Sequence, residues 1–127
     1  MVVIAALGSN AIVAITGAHV LVYTPAAAEL RAILRDVFGW KYVDDGDGWL
    51  IFALPAAELG VHPSEGSTQH ELSFMCDDVA ATKAELGQKG ISFRGEPEDM
   101  GFGIGVTMEL PGGVQVLLYQ PKQQQAI

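Results

Sequence analysis

Apolar and polar positions along this chain fall into the same order twice. The first round opens with HVLVY (19–23), a β-rich apolar run, followed by Thr24 and Pro25 at a helix start. Leu30, Ile33, Leu34 and Val37 then recur at helical spacing, with Arg31 and Arg35 outside the stripe and Gly39 as the stop. The second round opens with HELSFMC (70–76), runs through the capping pair Asp77 and Asp78 into a helix, and stops at Gly90. His19 and His70 stand 51 positions apart, and so do Gly39 and Gly90 (70 − 19 and 90 − 39). A further echo follows each helix, since GWLIFALPAAELGVHP resembles FGIGVTMELPGGVQVLLYQP. The pattern predicts a duplicated βαβββ module within one domain spanning 1–127. The modules cover about 18–63 and 69–121, between an apolar leader (1–17) and a short tail (122–127) expected to be disordered.

Between these anchors the signals are weaker. The leader MVVIAALGSNAIVAITGA lacks the basic start of a signal peptide, and Gly8-Ser9-Asn10 interrupts it as a membrane span. A hairpin or a loose leader is the remaining expectation. WKYV and WLIFAL flank the turn DDGDG, whose three aspartates mimic a calcium loop but lack the closing Glu, so a plain hairpin turn is predicted. PAAELGVHP reads as a short strand and SEGSTQ as a linker. The second helix has a shallow stripe of Ala80, Ala81, Ala84 and Leu86, broken by Gly87. GFGIG has the glycine rhythm of a phosphate loop without a strand leading in or a helix following. The chain closes on strands VTMEL and VQVLLYQP around Pro111-Gly112-Gly113.

Charge narrows the partners. Fifteen acids against 7 Lys and Arg give a formal charge of −8, which repels phosphate backbones and anionic lipid; nucleic acid and membrane are not expected partners. The single cysteine, Cys76, forms no internal disulfide and fits a reducing cytoplasm, where it reads as a small buried hydrophobe.

The order and spacing of HVLVYTPAAAELRAILRDVFGW, CDDVAATKAELGQKGI and LPGGVQVLLYQP resemble the vicinal oxygen chelate superfamily, which includes glyoxalases, extradiol dioxygenases and bleomycin-resistance proteins. The resemblance implies an α+β fold in which two tandem βαβββ modules form a cupped half-barrel sheet with helices on the outer face. It also implies a homodimer, a fit that the apolar leader and open sheet edges favour. In the family's enzymes a divalent ion (Zn, Ni, Mn or Fe) sits in the cup on His, Glu or Gln side chains; other members hold no metal.

Strand alternation proposes which side chains face that cup. With Val20 and Val22 under the helix, His19, Leu21 and Tyr23 face it. Leu59 and Val61 take the core side, leaving Glu58, Gly60 and His62 in the cup; Val114, Val116 and Leu118 likewise leave Gln115, Leu117 and Tyr119. Leu72, Phe74 and Cys76 form the better apolar face of the strand opening the second module, so parity chooses Glu71, Ser73 and Met75 for the cup, whereas the repeat spacing pairs His70 with His19. The candidate metal set is therefore His19, Glu58, Glu71 or His70, and Gln115. The final Glu of the family pattern is absent, its place aligning with Leu117.

Two functions follow from the resemblance. One is a metal-dependent lyase, isomerase or dioxygenase on a small vicinal-oxygen substrate, with Glu58 or Glu71 as ligand or general base. The other is a metal-free protein that sequesters a small drug or metabolite between Tyr23, Trp49, Met75, Phe102 and Tyr119.

Overall fold

The computed structural model describes residues 19–61, 63–66, 68–122 and 124–127. The leader with its Gly8-Ser9-Asn10 turn, and the cup position of His62, lie outside the described residues. Two helices and mixed sheets make an α+β fold that is not a closed barrel.

Helix α1 spans Ala27–Asp36, two residues beyond the start expected at Pro25. Thr24 and Pro25 instead lead into a turn, where Thr24 Oγ1 accepts a hydrogen bond from Ala26 N (3.2 Å). Leu30 is its buried residue, with Ile33, Leu34 and Val37 partly buried beside it. Strands β1 (Tyr42–Asp44) and β2 (Leu50–Phe52) form a separate antiparallel hairpin. Its DDGDG turn is held by Asp44 Oδ1 accepting from Gly46 N (2.9 Å) and by Asp45 N donating to the Trp49 carbonyl (2.9 Å). It is the plain turn the sequence predicts.

The second half builds the larger sheet from β3 (Ser73–Met75), β4 (Ser92–Asp99), β5 (Gly103–Leu110) and β6 (Val114–Pro121), with helix α2 (Val79–Gln88) after β3. The strand order is β3-β6-β5-β4, with β3 parallel to β6 and the other pairs antiparallel. This is a complete βαβββ unit. Asp78, rather than Asp77, caps α2 by accepting from Ala81 N (3.0 Å), and the Val79 amide donates to Gln120 Oε1 (3.0 Å). The register Val106↔Leu118, Met108↔Val116 and Leu110↔Val114 sets these six side chains on one face. Five of them, all but Val114, join Leu30, Val79 and Ile91 in the buried core, where Met108 is fully enclosed.

The first half departs from its echo. Residues 19–24 and 54–61 belong to no strand, although both read as strands from their side-chain pattern. A pattern records alternation, but a strand also needs a neighbouring backbone to bond, and the described residues supply none there. Val20, Leu21 and Val22 are exposed in consequence, and Leu59 and Val61 stand 90% and 91% open.

The halves touch where α1 meets the 3-10 turn Pro111–Gly113. Gly112 adopts φ +79°, and a Cβ built there would fall 1.8 Å from Thr24 Oγ1. Both backbone conformation and space therefore demand glycine. Gly112→Ala should cost about 2–3 kcal/mol in urea unfolding and less in a Thr24→Ala background, where the Oγ1 clash is gone but the backbone strain and the 3.1 Å approach to Ala26 Cβ remain.

Candidate functional site

A cleft of about 380 Å³ lies between α1, the hairpin and the core-side face of the larger sheet. Leu110, Val114 and Val116 of that face form one wall, and Leu30, Arg31 and Leu34 of α1 form another. Trp49, Ile51 and Phe52 close it from the hairpin, and the extended run His19–Val22 borders it.

Aromatic packing shapes its floor. Phe38, Trp40 and Phe74 meet edge to face, with ring centroids 5.0 Å (Phe38–Trp40), 5.3 Å (Trp40–Phe74) and 6.0 Å (Phe38–Phe74) apart. Two of these rings come from the first half and one from β3, so the triad ties the halves together at the cleft. Trp40 and Phe74 line it directly. At the hairpin wall the Arg31 guanidinium lies over Trp49, 5.9 Å from the ring centroid.

The opposite sheet face carries a second apolar group. The pairs Ser73↔Leu117 and Met75↔Tyr119 place these side chains away from the core, and Phe102 meets Tyr119 edge to face at 5.3 Å. Tyr119 covers Gly103 and Gly105: an added Cβ on Gly105 would meet Leu117 Cδ1 and Met100 Sδ at 3.0 Å and Tyr119 Cβ at 3.2 Å. The tail lies against this side too. Lys122 pairs with Asp99, Gln125 Nε2 donates to Met75 Sδ (3.2 Å) and Ala126 N donates to Glu58 Oε2 (2.7 Å). Lys122 and the Gly101 amide hold the Asp99 carboxyl below the ordinary carboxylate range.

The residues expected to form one ligand pocket are thus divided. Met75, Phe102 and Tyr119 share the outer face, Trp49 lines the cleft, and Tyr23 stands 87% exposed. The candidate metal residues are divided as well. His19 borders the cleft, and Gln115 faces the other way, across from Glu109. Glu58 is engaged by the tail, and His70 and Glu71 are exposed ahead of β3. Among the described residues no group of three or more His, Cys, Asp or Glu side chains is placed to hold a metal ion. The candidates in the described residues do not fit a metal shell within one chain.

Sequence reasoning missed Arg31, Trp40 and Phe74. Arg31 read as lying outside the helix stripe and Trp40 as the start of a strand; Phe74 read as core. The available signal was Phe38 and Trp40 either side of the Gly39 stop, with Trp49 just past the hairpin turn, more aromatic surface than a short hairpin buries.

The chain matches the family described as Glyoxalase/Bleomycin resistance protein/Dioxygenase superfamily over residues 17–118. Its fold is similar to that of TnmS3, an antibiotic binding protein from Streptomyces sp. CB03234, at 22% identity and a TM-score of 0.63, covering 86% of this chain and 98% of that one. It is also similar to a lactoylglutathione lyase from Agrobacterium tumefaciens (19% identity, TM-score 0.56, 78% and 88% covered). A superfamily member from Sphaerobacter thermophilus DSM 20745 gives 18% identity and a TM-score of 0.58, with 85% and 99% covered. No curated relative matches the chain. No helix among the described residues is long and apolar enough to cross a membrane.

Cys76 directly follows β3, half-buried, with Sγ 3.7 Å from the Tyr119 carbonyl. Burial pushes its thiol up from the usual range. Alkylation at pH 8 should therefore be slower in the folded protein than in urea, with the rate rising at higher pH than for a free thiol. Equal rates in the two states would show the thiol to be open.

Proposed function

We propose that this chain, which belongs to the Glyoxalase/Bleomycin resistance protein/Dioxygenase superfamily, is a small-molecule binding protein that holds an apolar or aromatic ligand in the cleft beside α1. The observation that carries this reading is the composition of the cleft walls. Leu30, Leu34, Trp40, Trp49, Phe52 and Phe74 give a large apolar surface, with few polar groups to orient a guest. The volume of about 380 Å³ suits a molecule of drug or metabolite size. The fold similarity to an antibiotic binding protein is consistent with it. The chain contains two tryptophans and both line the cleft, so its intrinsic fluorescence reports on occupancy. A neutral aromatic probe, N-phenylnaphthylamine, should bind once per chain and quench that emission. Trp49→Ala should weaken it by about tenfold. Binding that persists unchanged in the variant would place the ligand elsewhere.

Assembly is part of the same proposal. The exposed runs Val20–Tyr23 and Leu59–Val61 carry apolar side chains with no ladder partner among the described residues, which favours pairing with a second copy. A homodimer burying more than about 1,000 Å² would cover them, and a monomeric mass by light scattering at micromolar concentration would refute it. The metal-dependent reading, with Glu58 or Glu71 as ligand or base, requires His19, Glu58, Glu71 or His70, and Gln115 to gather across two copies. Stoichiometric metal in the untagged protein, lost together with His19→Ala and Glu58→Ala, would establish that reading over simple binding. The lone cysteine fits residence in a reducing cytoplasm.

A further inference from the structure

Arg31 is set apart from most of the chain's cations. Arg35, Lys83, Lys89, Arg94 and Lys122 each lie within ion-pair distance of a carboxylate, whereas Arg31 has no such neighbour among the described residues. It is partly buried, it lines the cleft, and its guanidinium lies over the Trp49 ring, 5.9 Å from the centroid. Among the described residues that line the cleft there is no Asp or Glu, while His19 is present. A chain of charge −8 thus has an apolar cleft with no acid among its described lining residues and a guanidinium in the wall.

Desolvation makes that arrangement selective. A cation at the edge of an apolar cavity loses part of its hydration, and an incoming anion restores the lost interaction with charge-assisted hydrogen bonds. The planar guanidinium, 5.9 Å from the Trp49 ring centroid, carries paired N–H donors that match a carboxylate. An incoming cation would meet Arg31 with no compensating acid. From the ligand-binding reading above and this charge pattern, we infer that the cleft takes a small aromatic or apolar carboxylic acid. Its carboxylate sits on Arg31, and its body lies between Trp40, Trp49 and Phe74.

The test compares an acid with its neutral isostere. Ibuprofen, as the carboxylate, and ibuprofen amide are titrated separately into the full chain, followed by tryptophan fluorescence and calorimetry. The acid should bind about tenfold or more tighter than the amide. Arg31→Gln should abolish the preference, bringing the acid-to-amide affinity ratio to about one. Arg31→Lys, which keeps the charge and loses the fork, should fall between. Arg35→Gln, which removes the same charge from the same helix away from the cleft, should change neither ligand. Equal binding of acid and amide by the unaltered chain, or an acid affinity indifferent to Arg31→Gln, would overturn the inference and leave the ligand-binding reading standing. Failure of both compounds to bind would remove the two together. The comparison on the unaltered chain needs no variant to fold.

Discussion

Much of this structure rests on a single apolar sheet face. Strands β5 and β6 present Val106, Met108, Leu110, Val116 and Leu118 on one side, all buried. Helix α2 reaches that face through Val79, and α1 reaches it through Leu30. A helix with one apolar stripe is stable only where that stripe meets another apolar surface. The three-residue strands of the first-half hairpin are too short to offer one. The first half therefore leans on the sheet of the second, and the turn around Gly112 is where the two are fitted together.

The cleft is what this borrowed packing leaves open. Helix α1 buries Leu30 but leaves Ile33, Leu34 and Val37 only partly covered. The edge-to-face triad of Phe38, Trp40 and Phe74 fixes the seam between the halves, and edge-to-face rings do not collapse into a flat stack. Trp49 and Phe52 face a space that the described residues do not fill. An apolar space of this kind is costly when empty, because its lining has lost contacts on one side. A guest in such a space recovers part of that loss.

The α+β class, the doubled helix and the complete second module were legible because each rests on local rules. Asp78 caps, Gly90 stops at φ +95°, and strict alternation in Val114–Leu118 sorts one face from the other. The same alternation placed Phe74 with the core and Met75 away from it, as the pairing with Leu118 and Tyr119 has it. What stayed hidden depends on contacts distant in sequence. HVLVY alternates like a strand, but no local signal says whether another backbone will lie beside it. His19, Val20, Leu21 and Val22 all border the cleft, so parity failed to sort them into a core set and a cup set. The convergence of Arg31, Trp49 and Phe74 needs α1, the hairpin and β3 to be placed together, which periodicity cannot supply.

Net charge and local charge point in opposite directions here, and distance decides between them. The formal charge of −8 acts through solvent over the whole surface, where interactions fade over about 8 Å at physiological salt. Much of that charge lies in exposed places such as the turn Asp44, Asp45 and Asp47, where water screens it further. Arg31 acts across contact distance, beside apolar walls that lower the local dielectric. The surface field can slow an anion's approach, but it changes the energy of the bound anion little. Affinity in a cavity is set by the groups that line it, and those lining this cleft include a guanidinium and no carboxylate among the described residues. An acidic chain is therefore a poor guide to the charge of its ligand once the cavity itself is in view.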